Sequence, residues 1–193
     1  MKRRDFVLSG AVTAAATAVG AQPTVTRSEN GWVLPEEFIP RYVRTSGATG
    51  PYELHVVPQE FALYWTLPDN KAIRYAVGIG RPGLYEAGTF FVGAKKEWPD
   101  WTPTQEMIQR EPQLYKKWED GMPGGPGNPL GARAIYLFTP QKGDTFLRIH
   151  GTGDPRGIGR EVSNGCARLV NSHAIHLYDQ VPLRAKVVLH PKA

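Results

Sequence analysis

At 193 residues the chain is long enough for one domain with a sizeable core, and its composition is that of a globular protein. A formal net charge of +5, with no Lys/Arg-rich run interleaved with aromatics, excludes a nucleic-acid-binding face and fits work against an anionic polymer. One cysteine excludes an internal disulfide and a dithiol redox motif, and five histidines without HExxH-type spacing exclude a zinc hydrolase, so neither metal nor cofactor is expected.

In chain order, residues 1–21 read as an export signal. A basic cluster, Lys2-Arg3-Arg4, leads into an Ala/Val/Thr/Gly run that is too short and too weakly apolar to span a membrane, and Val19-Gly20-Ala21 offers the small residues of a cleavage site. Arg3-Arg4 followed by Asp5-Phe6-Val7-Leu8 has the form of a twin-arginine signal, with an ordinary Sec signal as the alternative. Residues 22–50 form a poorly patterned lead-in and linker, and the domain proper is expected over 51–191. After signal removal no stable membrane span remains, which places the protein outside the cytoplasmic membrane of a bacterium, in the periplasm or cell envelope.

With 21 glycines and 17 prolines, many turns and few long helices are expected. Strand-forming runs occur at 53–57, 61–66, 72–79 and 89–92, and a hairpin is expected to join 133–139 to 146–150 around Pro140-Gln141-Lys142-Gly143-Asp144. A last strand covers 186–190. Pro103 followed by 104–110 fits a short helix with proline in its first turn. Asn171 reads as an N-cap, with Ala174, Leu177, Tyr178 and Val181 forming one apolar face, which leaves His173 and His176 solvated. The fold class is mainly β, a sandwich or barrel-like domain with a few short helices and a long loop insert.

That insert carries Trp98-Pro99-Asp100-Trp101-Thr102-Pro103, a stiff aromatic loop, and then the Gly/Pro-rich segment 121–131. Trp98 and Trp101 can wall a cleft, or they can cap a small apolar cluster beneath the loop.

The lone cysteine sits in Ser163-Asn164-Gly165-Cys166-Ala167-Arg168-Leu169, sixteen residues after the histidine of Ile149-His150-Gly151-Thr152. A thiol becomes a nucleophile only as thiolate, so it needs a base or a cation nearby. A histidine at a strand end and a cysteine on a glycine-opened turn can supply that pair. Backbone N–H groups at Gly165 and Cys166 are the natural donors to an oxyanion, because Gly165 lets the chain bend close to a substrate. Ser163 can fix the turn through its hydroxyl, and Arg168 can brace it or pair with a substrate carboxylate.

These two segments resemble the signature of the L,D-transpeptidases, the YkuD-like peptidoglycan cross-linking enzymes. Their pattern is a histidine often followed by Gly-Thr, a spacer, then Ser/Thr-His-Gly-Cys with Arg or Asn close behind. Asn164 stands where the family usually has its second histidine, and it cannot take up a proton. The resemblance covers about residues 52–190. It implies Cys166 as nucleophile, His150 as proton donor and acceptor, and a backbone carbonyl at Gly151 or its neighbour to orient the imidazole. It also implies peptidoglycan stem peptides as partners: Cys166 attacks the bond between the diamino acid and D-Ala of a tetrapeptide stem, and the thioester passes to an amine. The same acyl-enzyme resolved by water would make an L,D-carboxypeptidase. A non-catalytic wall-binding module is the third reading, against which the retained His150 and Cys166 argue.

Overall fold

The computed structural model describes residues 33–192, so the export-signal expectation for residues 1–21 lies outside the described residues. Nine strands form one mixed sheet. In chain order they are β1 (Arg41–Arg44), β2 (Glu53–Val57), β3 (Ala62–Leu67), β4 (Lys71–Ala76), β6 (Gly88–Glu97), β7 (Arg133–Thr139), β8 (Gly143–Thr152), β10 (Ala167–Val170) and β11 (Lys186–Leu189). Across the sheet they run β1-β4-β3-β2-β11-β6-β7-β8-β10, while β5 (Ile79–Gly80) and β9 (Glu161–Ser163) pair separately. The described residues also form three short α-helices, α1 (Gln105–Arg110), α2 (Pro112–Tyr115) and α3 (Asn171–Gln180), and four single-turn 3-10 helices. The mainly β architecture is the one the strand-rich pattern predicts.

Both faces of the sheet centre are covered. In β3, Leu63 and Trp65 enter the main core with Leu54, Tyr75, Leu137 and Leu177, while Ala62 and Tyr64 turn to a smaller cluster with Val57 and Ala72. Burial on both sides explains why β3 reads as a continuous apolar run instead of an alternating one. The sheet also curls back on itself. Gly78, just past β4, exchanges two backbone hydrogen bonds with Arg168 of β10, at 2.9 and 2.8 Å, so the far edge meets the chain leaving the near half. This contact interrupts the run expected over 72–79, which splits into β4 and β5.

Three further details differ from the sequence reading. The lead-in contributes β1, which pairs antiparallel with β4 from Arg41↔Arg74 to Arg44↔Lys71; its side chains are mostly exposed, so no apolar pattern announces it. Asn171 is not an N-cap: Val170 holds that position, and the Asn171 Oδ1 accepts from the Ala132 N–H at 2.9 Å, on the neighbouring loop. Nor are His173 and His176 solvated. His173 is 1% exposed against the ring of Tyr75, and His176 Nδ1 lies 2.7 Å from the Tyr75 hydroxyl. The short helix expected over 104–110 forms at Gln105–Arg110, with Thr104 as N-cap accepting from the Met107 N–H, so that Pro103 lies ahead of the helix and not in its first turn.

Burial holds the His173 imidazole at about 4, well below its ordinary 6.5, and the neighbouring His176 adds to this. The folded pKa lies below the unfolded one, so the unfolded chain binds the extra proton between the two values. Stability from the neutral ring is therefore complete above about pH 6.5 and is lost as pH falls towards about 4, by an amount on the order of 3 kcal/mol. Chemical denaturation of His173→Leu across this window should show a shallower loss than the parent; equal slopes would remove His173 from the account.

Candidate active site

The site forms where β8 and β10 lie parallel. Their register sets Arg168 beside His150 and Ala167 beside Ile149, so Cys166, one residue before β10, arrives next to the strand end that carries the histidine. Cys166 and His150 line one cleft of about 810 Å³, together with Arg148, Asn164 and Arg168. Its opposite wall comes from the 98–131 insert through Trp101, Thr104, Met107, Arg110 and Tyr115.

The turn holding the cysteine is fixed by one hydroxyl. Ser163 Oγ, fully buried, donates to the Cys166 carbonyl at 2.6 Å and accepts from the Gly165 N–H at 3.2 Å. The Gly165 N–H, an expected oxyanion donor, is engaged within the turn by this bond. Its φ of +117° is a conformation open to glycine, and a Cβ there would lie 3.0 Å from the Leu84 carbonyl.

His150 is 3% exposed, and its Nδ1 lies 2.6 Å from the Gly151 carbonyl. A carbonyl only accepts, so Nδ1 carries the proton and Nε2 is the basic nitrogen. Burial pushes the imidazole down to about 3, the Arg168 charge adds to this, and the Gly151 and Leu130 carbonyls partly offset it. Burial pushes the Cys166 thiol up, against the opposing pull of the Arg148 N–H and of the Arg148 and Arg168 charges. Both shifts favour the neutral thiol and neutral imidazole over an ion pair at rest.

Gly151 is where sequence and packing meet most tightly. A Cβ on it would fall 2.4 Å from Asn171 Oδ1, the atom that holds the Ala132 N–H. Gly151→Ala should therefore displace the strand end that carries His150. The expected result is a loss of about 2 kcal/mol in stability and a fall in activity larger than that loss explains, read by thermal melts beside turnover. Unchanged values of both would mean that the Asn171 amide yields freely.

The cations of the cleft divide by partner. Arg148 is bidentate to Asp144 and lies 4.0 Å over the Tyr136 ring. Lys96 pairs with Asp100, and Arg81 with Glu111. Arg168 makes no ion pair among the described residues, and its Nε is buried without a hydrogen-bond partner. Asn164 faces the insert: its Oδ1 accepts from Arg81 and Arg110, both at 2.7 Å, and its Nδ2 donates to the Tyr115 hydroxyl at 2.9 Å. Arg81, Arg110, Tyr115, Arg148 and Asn171 are parts of the site that no local sequence signal marks.

Of the two insert tryptophans, Trp101 lines the cleft and Trp98 does not. Trp98 is 42% exposed with a φ of +40°, and its N–H is bonded to the Ala132 carbonyl, a backbone bend that directs the side chain away from the cavity. Among the described residues no group of three or more His, Cys, Asp or Glu side chains could hold a metal ion.

The sequence profile of the L,D-transpeptidase catalytic domain, YkuD, matches residues 51–189. The chain belongs to this family. A relative from Escherichia coli K12, "Probable L,D-transpeptidase ErfK/SrfK", is 31% identical over 172 residues, which is 87% of this chain and 51% of that protein. The chain thus spans about half the length of that relative. A crystal structure from Brucella melitensis, described as a "Probable carnitine operon oxidoreductase caia", is 44% identical with a TM-score of 0.56, covering 78% of this chain and 92% of that one. The Enterococcus faecium L,D-transpeptidase C442S mutant shares the fold at 15% identity, with a TM-score of 0.54, covering 77% of this chain and 56% of that one. Family and fold together make this an L,D-transpeptidase-class catalytic domain. Among the described residues no helix is long and apolar enough to cross a membrane.

Proposed function

We propose that the chain is a peptidoglycan L,D-transpeptidase working in the bacterial envelope after export. The observation that carries this reading is the coincidence in one cleft of the only cysteine, an imidazole with its basic Nε2, and Arg168 with an unbonded Nε and no ion pair among the described residues. Cys166 Sγ attacks the carbonyl between the diamino acid and D-Ala of a tetrapeptide stem as His150 Nε2 takes the thiol proton. The tetrahedral oxyanion faces the Cys166 N–H, since the Gly165 N–H is spent on Ser163. On collapse, the C–N bond breaks and His150 returns the proton to the leaving D-Ala amine, leaving a thioester. An amine of a second stem then attacks the thioester, His150 accepts its proton, and the thiol is released.

Arg168 binds a carboxylate of the donor stem. A half-buried guanidinium with a buried, unbonded Nε and no ion pair among the described residues carries a desolvation cost that an anionic ligand relieves, which favours ligands bearing a carboxylate there. Burial pushes its pKa down, and a thiolate at Cys166 gives the largest opposing pull.

The test is incubation of the mature protein with isolated sacculi, followed by mass analysis of the digested muropeptides. Cross-linked dimer that increases with time supports the transferase. Tripeptide alone, across a range of acceptor concentrations, replaces it with an L,D-carboxypeptidase using the same acyl-enzyme. Unchanged sacculi contradict both.

A further inference from the structure

The helices that form the far wall of the cleft lack what normally positions a helix. α1 and α2 are six and four residues long, and neither buries a residue. Helices this short are not stable alone and are usually held by an apolar face against a core. Here α1 packs on α2, and α2 packs also on the 3-10 turn Lys116–Trp118 that follows it. The other fastenings of the insert flank these helices: Trp101 and Met122 exchange backbone hydrogen bonds at 2.9 and 2.7 Å, and Asn128 Nδ2 bonds the Met122 and Pro123 carbonyls.

What joins α1 and α2 to the body is a polar node at the nucleophile turn. Asn164 lies two residues before Cys166, and its one carboxamide receives two guanidinium donors and gives one hydrogen to a phenol. Arg81 is also bidentate to Glu111, between α1 and α2, at 3.1 and 2.9 Å, and Arg110 approaches the same carboxylate at 3.8 Å. Tyr115 in turn meets the edge of Trp101, with ring centroids 6.1 Å apart. The tie therefore runs from the nucleophile turn to the aromatic wall through side chains alone.

A carboxamide suits this node, because its oxygen has two lone pairs for two cations while its nitrogen donates to the phenol. A neutral imidazole has a single acceptor nitrogen and would leave one guanidinium without its bond. Charge-assisted bonds of this kind are among the stronger ones available to a side chain.

We propose that Asn164 is a positioning residue that fastens the α1–α2 wall to the nucleophile turn, and that this tie sets how well an amine acceptor outcompetes water at the thioester. The second half rests on the transpeptidase reading above. Transfer requires that the acceptor be held close and water be kept out, and a wall whose helices bury no residue fully does both better when it is tied.

The experiment has one arm that needs no substrate. In Asn164→Ala, amide hydrogen exchange across 105–115 should quicken about tenfold while sheet amides stay unchanged, as expected for losing hydrogen bonds to charged groups. Asn164→Asp keeps the acceptor oxygens and should retain most of the protection, whereas Asn164→His should lose it and add a second ionisation to the pH profile of turnover. In the sacculus assay, Asn164→Ala should raise the ratio of hydrolysed tripeptide to cross-linked dimer several-fold. Iodoacetamide labelling of Cys166 should stay close to that of the parent, an outcome that general damage to the turn would not give. Unchanged exchange at 105–115 would overturn the tie. Faster exchange with an unchanged product ratio would overturn its role in acceptor choice. A parent protein that never forms dimer would overturn the transferase reading and the acceptor half with it, while the exchange result would still decide the tie.

Discussion

Replacement of Cys166 by alanine is expected to abolish turnover while leaving the fold intact. In the proposed mechanism the covalent step depends on the Cys166 sulfur, and the neighbouring Ser163 Oγ is buried and committed to the Cys166 carbonyl and the Gly165 N–H. Those bonds use backbone atoms at 165 and 166, so the turn keeps its shape without the sulfur. Activity should fall by at least about 10⁴-fold, the scale seen when a nucleophile is removed from an otherwise complete site. The thermal midpoint should move little, since the thiol is part of the cleft surface and makes no core contact of its own. Stems that still lose D-Ala at a measurable rate with Cys166→Ala would end the nucleophile assignment.

His150→Gln should be nearly as damaging, with turnover lowered by about 10²- to 10⁴-fold, because the amide keeps a donor for the Gly151 carbonyl but supplies no base. The pH behaviour adds a sharper expectation. Burial holds the imidazole neutral down to about 3 and pushes the thiol up, so the resting pair is not an ion pair. Labelling of the parent by iodoacetamide should therefore be slower at neutral pH than labelling of a free thiol, and should climb into the alkaline range. The loss on His150→Gln should be far larger in turnover than in labelling, because the base acts while the bond to substrate forms. A labelling curve with its midpoint below neutral would show a preformed thiolate and contradict the neutral pair.

The sequence was most legible where a single element carries its own signal. Residues 53–57 and 133–139 read as strands because β-branched and aromatic side chains fill them between turn residues, and both are strands with those limits. By contrast, β1, β9 and β10 have three or four residues each, and their pairing is decided by partners far along the chain. The misreading of His173 and His176 has the same origin. They fall off the apolar stripe of α3, but the curled sheet brings Tyr75 over that flank, and periodicity within one helix does not report a second covered side. Asn171 carries the composition of a cap, yet its amide is claimed by the Ala132 N–H.

The site follows the same division. His150 and Cys166 are legible because the cysteine is alone and its turn has a recognisable composition, and the parallel register of β8 and β10 then brings the two segments together. The partners of Asn164 are not legible. Arg81, Arg110 and Tyr115 lie 83, 54 and 49 residues away from it, each in a segment whose own composition is that of an ordinary solvated surface. The two tryptophans of the insert look equivalent in sequence, and only the backbone bend at Trp98 separates the one that lines the cleft from the one that does not.

The central claim is that a thioester forms on Cys166. Intact-mass and peptide mass spectrometry of the protein mixed with a tetrapeptide stem, with no amine acceptor added, tests it most directly. The account predicts an adduct equal to the stem less D-Ala, located on Cys166, removed by an added amine and absent from Cys166→Ala. Release of D-Ala with no adduct at Cys166, or with an adduct on another residue, would contradict it.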